Sequence, residues 1–242
     1  MTTESGPNII TNGLIFSIDG LNLKSYSGTG SVVNDLSTSL INGNLINSAS
    51  VDASGIFSLN YLNSQYLDFP NNNTNIQFLN NSPYTLEAWV YPTIDPGTNN
   101  YTGIFNRESV FNGVRDGWNL WYVGLSASTS LFSSERFKSA SVNSLDSVSE
   151  TVSTSAVLNQ WQHLVVTYNG ISTMLLYRNT IQTGGNAAVS GSITNTVKTL
   201  TIGVRNTQYW RGNLGPCRIY NRALSQTEIK QNYNASRSRF GV

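Results

Sequence analysis

The acidic residues of the sequence are spaced in a way that disfavours glycoside hydrolysis. A retaining glycosidase needs two carboxyl groups about 5 Å apart, one on each side of the bond that it cleaves. Two such groups on the same face of one β-strand would stand two positions apart, because alternate side chains share a face. No two acidic residues here have that spacing, and the closest pair is Asp146 and Glu150. Only carboxylates from different strands could converge, so we expect no enzymatic activity and no catalytic residues.

The chain has one histidine, His163, and one cysteine, Cys217. As a catalytic base, His163 would need a nearby nucleophile and an orienting acid. Its strand-like surroundings favour an imidazole that is hydrogen-bonded inside the fold. Cys217 also lies in a strand-like segment, and we expect it to be buried as a small hydrophobic residue. These two residues cannot form a structural zinc site, which needs about four such ligands, and a lone cysteine fits synthesis in a reducing cytosol.

Aromatic residues that could bind sugars occur together with amide and guanidinium groups. An aromatic ring can pack against the C–H face of a sugar, while polar side chains bind its hydroxyl groups. Tyr209 and Trp210 lie at a loop-to-strand junction, so we expect both rings to be exposed contacts. Trp118 and other tryptophans in strands are more typical of a core. The predicted ligand-binding residues are Arg107, Asn119, Trp121, Tyr209, Trp210 and Arg211.

Composition excludes two classes of partner. Charged residues are 11% of the chain and the net charge is +1, so the chain lacks the row of cations that binds duplex nucleic acid. Its longest apolar runs are far shorter than the roughly 20 residues that span a bilayer. The first ten residues show no charged segment followed by an apolar one, so no secretory signal is visible. We expect neither a nucleic acid nor a membrane partner.

An alternating pattern of apolar and polar residues dominates the chain and predicts β-strands. In residues 84–91, YTLEAWVY, the residues Tyr84, Leu86, Ala88 and Val90 share one face. Turns rich in Asn, Ser and Gly separate such segments, which is typical of a β-sandwich or jelly roll. The predicted strands cover residues 13–19, 55–62, 65–69, 84–91, 102–106, 117–125, 161–168, 173–178, 198–204 and 213–220.

We expect residues 1–242 to form a single domain with three irregular parts. Residues 1–12 are predicted as an N-terminal arm. The Ser/Thr-rich insertion at residues 126–156 is either a surface excursion with one or two edge strands around residues 131–137, or an insertion that contacts a neighbour or ligand. Residues 234–242 are predicted as a C-terminal tail, in which residues 236–240 are either frayed or form an arm that contacts another subunit. The predicted subunit contacts are Arg237, Arg239 and Phe240.

A short helix is predicted near the end of the chain. Ser225 and Glu228 have the spacing of a capping box, in which each side chain binds a backbone N–H group at the start of a helix. The helix should begin at Ser225 and run to about Asn232. Isolated helices of this length are marginal in water, so it has to dock on the strands. Ile229 and Tyr233, four residues apart, would form its buried side.

Several segments, in this order, resemble the concanavalin A-like lectin/glucanase superfamily, and specifically its laminin G-like jelly rolls. They are GLIFSIDGLNLKSYSGTGSVVNDLS, YTLEAWVYP, WQHLVVTYNG, LLYRN, LTIG and WRGNLGPCRIYNRALSQTEI. The resemblance covers residues 13–242. It implies an all-β jelly-roll sandwich of two antiparallel sheets with a short C-terminal helix. The sequence departs from the family at Pro216 and Cys217, where an acidic and then an apolar residue are common.

The resemblance also raises the question of calcium, because many members of this superfamily hold Ca²⁺. Asp19 and Asn22 offer oxygen ligands in one turn, and Glu108, Asn112 and Asp116 offer them in another. No spacing matches a defined calcium loop, and residues of these types also bind local backbone groups in turns. We expect no metal and no other cofactor, with Ca²⁺ as the alternative.

The segments SIDGLNLKSYSG and NYNASRSRFGV are similar to virion proteins of tailed bacteriophages, notably those of marine cyanobacteria. This similarity implies a non-enzymatic structural protein on the virion surface, which decorates or cements the capsid and is assembled in the host cytoplasm. Its partners would be other capsid or tail proteins and further copies of itself in a homo-oligomer. The alternative is a carbohydrate-binding module of a tail fibre or other host-attachment protein, with a cell-surface glycan as partner.

Overall fold

Two large antiparallel sheets, A and B, pack face to face and carry one helix on the outer side of sheet A. The computed structural model describes residues 7–70, 73–111, 114–126, 129–138, 145–151, 156–186, 192–193 and 198–242. This arrangement is a jelly-roll sandwich, and it confirms the predicted fold class.

Sheet A contains the strand YTLEAWVYP at its centre. Its strands are β1 (Leu14–Ile18), β4 (Ser50–Val51), β5 (Phe57–Leu59), β7 (Tyr84–Pro92), β12 (Gln162–Tyr168), β13 (Met174–Arg178), β14 (Ile181–Asn186) and β18 (Gly212–Tyr220). Their order is β14-β13-β12-β7-β18-β5-β4, and β1 pairs with the later part of β18.

Sheet B contains the longest strands. Its members are β2 (Val32–Val33), β3 (Gly43–Ile46), β6 (Tyr66–Phe69), β8 (Tyr101–Phe111), β9 (Val114–Ser126), β10 (Thr129–Phe137), β11 (Leu145–Ser149) and β15 (Leu200–Ile202). Their order is β11-β10-β9-β8-β15-β6-β3-β2. Two further strands, β16 (Val204–Arg205) and β17 (Gln208–Tyr209), form a separate hairpin directly after β15.

The inner faces of the two sheets share one apolar core. Leu86 and Val90 of β7 are fully buried in it, and so is Trp118 of β9. Between the two β7 residues stand Glu87 and Trp89, which point to the other face because side chains alternate along a strand. Both are nevertheless fully buried, since the C-terminal helix covers the outer face of sheet A at this point.

Each of the ten predicted strands has a counterpart, some of them longer than predicted, but residues 55–62 contribute only β5 and residues 198–204 are divided between β15 and β16. Residues 126–156 differ from a simple insertion, because they supply β10 and the edge strand β11 of sheet B. Phe132 and Val148 of these strands are buried in the common core. The described residues of this segment are therefore part of the sandwich. Residues 127–128, 139–144 and 152–155 lie outside the described part of the chain.

Helix α1 spans Gln226–Phe240 and begins at the predicted cap. The Ser225 hydroxyl accepts a hydrogen bond from the backbone N–H of Glu228, and the Glu228 carboxylate accepts one from the backbone N–H of Ser225 at 2.9 Å. The predicted end near Asn232 is wrong, because the helix continues to Phe240. Gly241 then stops it with a left-handed φ of 68°, a conformation that glycine adopts without strain.

The last turn of α1 is fixed by contacts within the chain. The Phe240 ring is 6% exposed and stacks on Trp89 with the ring centroids 4.3 Å apart. The Arg239 guanidinium donates a hydrogen bond to Asp19 at 2.7 Å. Of the two alternatives for residues 236–240, the frayed tail is therefore wrong. Phe240 and Arg239 are engaged within the domain, whereas Arg237 is exposed and its role as a subunit contact stays a prediction.

A buried polar network holds α1 on sheet A. At its centre, the Glu87 carboxylate accepts hydrogen bonds from Arg218 at 2.5 Å and from Asn232 of α1 at 2.6 Å. His163 Nε2 lies 3.1 Å from the same carboxylate, which confirms that this imidazole is hydrogen-bonded inside the fold. Burial alone would raise the pKa of Glu87, but the Arg218 charge and the contact with His163 outweigh it and lower the pKa to about 2.

The same network reaches the beginning of the chain. The Ile10 backbone N–H donates to the Asn232 side chain at 2.7 Å, and the Ile10 carbonyl accepts from the Tyr220 hydroxyl at 3.1 Å. Asn8 and Ile10 of the predicted arm thus contact α1, while residues 1–6 are outside the described part. Cys217 is fully buried as predicted, and burial raises the pKa of its thiol.

Candidate functional site

The β16–β17 hairpin lies over β8, on the outer face of sheet B. Gly103 of β8 makes this close approach possible, because a Cβ atom at that position would lie 2.5 Å from the backbone carbon and oxygen of Val204. At the other strand of the hairpin, the Gln208 side chain accepts a hydrogen bond from the Tyr101 backbone N–H at 3.0 Å. Described residues form a pocket on each side of the hairpin.

The pocket between the hairpin and strands β9 and β10 combines rings with charged groups. We call it the hairpin pocket; its volume is about 200 Å³. Two neighbouring outward residues of sheet B, Trp121 and Glu135, come from adjacent strands. The residues that line it are Tyr101, Arg115, Trp121, Glu135 and Arg205.

Arg205 of the hairpin is held rigidly above sheet B. Its Nε donates a hydrogen bond to Glu108 Oε2 at 3.0 Å, and Glu108 is itself buried. The guanidinium lies over the Trp121 ring at 4.3 Å and near the Tyr101 ring at 5.7 Å. Stacking on an aromatic face and a charge-assisted hydrogen bond together fix the plane of the guanidinium.

Glu108 also pairs with a second arginine. Its Oε1 lies 3.4 Å from Arg115 Nε, and the Arg115 side chain is 36% exposed. One buried carboxylate thus neutralises only one of two neighbouring positive charges. This arrangement leaves an excess positive charge beside the hairpin pocket unless another carboxylate there is ionised.

Glu135 is that other carboxylate, and its surroundings favour the neutral form. Its backbone N–H donates to Asn119 Oδ1 at 2.9 Å, which fixes its position on β10. Its Oε2 is buried and has no hydrogen-bond partner among the described residues. Burial raises the pKa of Glu135 to about 7 and Glu108 adds to this, although Arg205 and Arg115 oppose it.

On the opposite side of the hairpin lies a smaller and less charged pocket. Its volume is about 130 Å³. Tyr209 lies in its wall, 6.1 Å from the Tyr66 ring. The lining residues are Tyr66, Asn106, Lys198, Thr201, Val204, Asn206 and Tyr209.

A cavity larger than these two pockets lies elsewhere, at one end of the sandwich. We call it the end groove; its volume is about 590 Å³. Its walls come from the turn after β5, the chain after β7 and the start of β18. The residues that line it are Ser50, Ser58, Leu59, Asn60, Tyr61, Leu62, Asn63, Gln65, Thr93, Ile94, Gly212 and Asn213. Beside it, the Arg211 guanidinium lies over the Tyr61 ring at 4.7 Å.

The six residues predicted to bind a ligand are divided among separate places. Trp121 lines the hairpin pocket and Asn119 supports it through Glu135. Tyr209 lines the smaller pocket on the other side of the hairpin, and Arg211 borders the end groove. The structure therefore does not bring the six residues together in a single site.

Four of the six residues are buried: Arg107, Asn119, Trp121 and Trp210. Trp210 is fully buried, with its ring 5.8 Å from Tyr122 in the core. The expectation of an exposed Trp210 is wrong because the hairpin closes there, where the Trp210 backbone N–H donates to the Gly203 carbonyl at 2.8 Å. Arg107 is also fully buried and stands opposite Trp118, on the core side of β8.

Sequence reasoning missed the residues that do most to shape the two main cavities. Arg205 and Glu135 had no pattern that connected them, since they lie 70 positions apart in unrelated segments. The sequence indicates the position of Tyr61 only weakly, through the preceding Asn60, which is a residue type that often begins a turn. Asn60 caps the 3-10 turn Tyr61–Asn63 by accepting from the Leu62 backbone N–H.

The oxygen atoms considered for calcium are engaged by protein groups. Asp19 accepts from Arg239 and from the Leu21 backbone N–H, and Glu108 pairs with two arginines. Asn112 lies outside the described residues. Within the described ranges, no three or more His, Cys, Asp or Glu residues come together in a way that could hold a metal ion. In that same part of the chain, no helix is long and apolar enough to cross a membrane.

We predict that Gly103→Ala displaces the hairpin. Because the added Cβ would meet the Val204 backbone rather than a movable side chain, the overpacking should cost about 1–3 kcal/mol of unfolding free energy. Urea denaturation measures this effect. Gly185→Ala in β14 is the matched control, since its Cβ would meet only side-chain atoms at 3.1 Å or more. Equal stability of the two variants would contradict the close contact.

Comparisons with known proteins agree with the architecture. Residues 62–230 match the family model described as the concanavalin A-like lectin/glucanases superfamily. No curated protein matches the chain in sequence.

Solved structures with a similar fold include two that are described as binding domains. One is the binding domain of Paraclostridial Mosquitocidal Protein 1, with a TM-score of 0.62 and 18% identity, covering 92% of this chain and 52% of that one. Another is the binding domain of botulinum neurotoxin DC in complex with SialylT, with a TM-score of 0.65 and 17% identity, covering 92% and 51%. The third, from work on ganglioside-dependent cell entry of botulinum neurotoxin type C, has a TM-score of 0.66 and 15% identity, covering 92% and 51%.

The chain spans about half the length of these structures, and identities this low show the shared fold alone. The family match covers more than half of the chain. It agrees with the sandwich topology and with the order of the sequence segments described above. The chain therefore belongs to the concanavalin A-like lectin/glucanases superfamily.

Proposed function

We propose that this domain is a non-enzymatic glycan-binding domain that attaches to cell-surface carbohydrate through the end groove. The lining of that groove supports the proposal. It combines one aromatic ring, two exposed aliphatic side chains and several uncharged polar groups in a cavity of about 590 Å³. A cavity of this size can hold a small oligosaccharide.

The apolar part of the groove suits the C–H faces of sugar rings. Tyr61 is partly exposed, and Arg211 lies over its ring at 4.7 Å, which holds the ring in place. Leu62 is 74% exposed and Ile94 is 42% exposed. Large apolar side chains that stay exposed beside a cavity are candidate contacts for a ligand.

The polar part of the groove suits hydroxyl groups without charge. Asn63 and Asn213 contribute amides, and Ser58 contributes a hydroxyl group. Each of these can donate and accept hydrogen bonds, as sugar hydroxyl groups do. The described residues that line the groove carry no ionisable group other than the Tyr61 phenol. A neutral oligosaccharide therefore fits the chemistry best.

The toxin structures support a binding role, because one is a complex with SialylT and another concerns interaction with two ganglioside molecules. The chains of those structures are about twice as long as the matched region. They favour carbohydrate as a ligand class and leave the choice of glycan to experiment.

Tyr61→Ala should weaken binding of neutral oligosaccharides about tenfold, because it removes the ring on which a sugar would pack. Glycan-array screening identifies the ligand, and calorimetric titration with that ligand measures the change. Tyr209→Ala is the matched control, since Tyr209 lies in the smaller pocket. If Tyr209→Ala removes binding while Tyr61→Ala retains it, the ligand occupies the smaller pocket. If broad glycan panels give no binding, the proposed function is wrong.

We further propose that the domain lies on a virion surface. This proposal rests on the similarity of the segments SIDGLNLKSYSG and NYNASRSRFGV to phage virion proteins. A capsid decoration protein would be present in hundreds of copies per particle, and a tail-fibre module in tens. Quantitative mass spectrometry of purified particles distinguishes these two. The glycan-binding proposal favours the tail-fibre or host-attachment role, and a copy number in the hundreds would favour decoration.

A further inference from the structure

The hairpin pocket carries a second recognition chemistry, separate from that of the end groove. We propose that it binds a carboxylate-bearing sugar residue, and that Glu135 is protonated in the bound state. Two arginines would bind the ligand carboxylate, and the protonated Glu135 would donate a third hydrogen bond. The ligand differs from a neutral oligosaccharide in charge, so this proposal does not depend on the end groove.

Glu108 orients both Arg115 and Arg205 so that they can bind an anion. Glu108 contacts the Nε atom of each one, at 3.0 Å for Arg205 and 3.4 Å for Arg115. A guanidinium has five N–H donors, so these contacts leave the terminal nitrogens of both side chains for another acceptor. For Arg205, no other hydrogen-bond acceptor is found among the described residues. Planar guanidinium groups suit the two oxygens of a carboxylate.

The pocket keeps the arginines in a position where a ligand can meet them. Arg205 is largely buried, stacked on Trp121 and fixed by Glu108, so little side-chain entropy is lost on binding. Arg115 is 36% exposed and lies at the open side. The Trp121 indole Nε1 is buried and has no partner among the described residues. The rings of Trp121 and Tyr101 supply an apolar wall beside these donors.

Glu135 decides the charge of the pocket. It faces Arg205 of the hairpin, Glu108 and Tyr101 of β8, and Arg115 of β9, and on β11 its neighbour across the strand is Ser147. With Glu135 neutral, the two arginines and Glu108 sum to one positive charge. With Glu135 ionised the sum is zero, and its carboxylate repels the carboxylate of a ligand. Binding of an acidic sugar should therefore be coupled to proton uptake.

The test is titration of the full chain with glucuronic acid and with N-acetylneuraminic acid at pH 6 and pH 8, with glucose as the neutral control. Both acids stay ionised over this range, so the protein alone changes charge. The pKa of Glu135 is about 7, so the fraction with a protonated Glu135 falls about tenfold from pH 6 to pH 8, and affinity should fall about tenfold with it. Preference for one of the two acids identifies the source of the carboxylate.

Two variants separate the parts of the proposal. Glu135→Gln keeps the shape and donates a hydrogen bond at every pH, so its affinity should be equal at pH 6 and pH 8. Arg115→Gln, at a partly exposed position, should weaken binding about tenfold at both pH values. Equal wild-type affinity at the two pH values, retained pH dependence in Glu135→Gln, or binding of glucose as tight as that of the acids would overturn the proposal. Tyr61→Ala should leave these affinities unchanged, which keeps this result separate from that of the end groove.

Discussion

Arg218→Met should lower the free energy of unfolding by about 3–5 kcal/mol, because it leaves the buried Glu87 carboxylate without its main partner. The two groups are 2.5 Å apart, and Glu87 is fully buried beneath α1. Urea or guanidinium denaturation, followed by tryptophan fluorescence, measures the loss. Methionine fills much of the volume of the arginine stem, so the effect reports the charge more than a cavity.

The control for this prediction is a double variant. Glu87→Gln together with Arg218→Met removes both charges and keeps a hydrogen-bonding group for Asn232. Breaking one half of a buried pair is costly, whereas replacing both halves can be nearly neutral. The double variant should therefore be more stable than Arg218→Met alone. If its loss equals the sum of the two single losses, the pair does not interact and our explanation fails.

The same pair predicts how stability changes with pH. The pKa of Glu87 is about 2 in the folded protein and 4.5 in its ordinary state. A lowered folded pKa gives stability that is fully present above the unfolded pKa. That stability is lost as the pH falls from about 4.5 towards 2. The Glu87→Gln/Arg218→Met variant lacks this carboxylate, so its stability should fall less steeply over this interval.

Phe240→Ala should cost about 3–5 kcal/mol of unfolding free energy, which is the usual range for removing a buried phenylalanine. Its ring stacks on Trp89 at 4.3 Å and contacts Trp161 with the ring centroids 4.6 Å apart. It also fills the space above Gly215, where a Cβ would lie 2.8 Å from the Phe240 ring. Thermal unfolding and chemical denaturation both measure the loss.

This variant also tests whether Phe240 contacts another subunit. A loss of packing within the domain is independent of protein concentration, whereas a loss of a subunit contact depends on it. We expect the same destabilisation over a hundredfold range of concentration. Leu23→Ala is the control, since this side chain is 76% exposed and its removal should change stability by less than about 0.5 kcal/mol. A concentration-dependent loss in Phe240→Ala would favour the subunit contact.

Much of the fold was predictable because its signals are local. The alternation in β7 and the capping box at Ser225 each depend on residues within a few positions of one another. The full length of α1 was not predictable in this way. Its last two turns are stabilised by Trp89, a residue on a distant strand, and no local pattern records that contact.

The sites were less predictable than the fold because they depend on how distant segments meet. Trp121 and Asn119, two of the predicted ligand-binding residues, lie at or beside the hairpin pocket, and their role in binding stays a prediction. Their charged neighbour Arg205 arrives only because the hairpin folds back over β8, and Gly103 permits that contact from another strand. The burial of Trp210 has the same cause. The turn of the hairpin directs its ring into the core, and the sequence does not reveal that turn.

The contact between Ile10 and Asn232 has a consequence for handling the protein. It brings the beginning of the described chain and the C-terminal helix together on the outer side of sheet A, while the hairpin pocket faces away from sheet A. A tether attached near either end would hold the domain with the hairpin pocket directed outward. Copies immobilised in this way on a bead or sensor would present their pockets in parallel, and weak individual contacts could then add up through avidity.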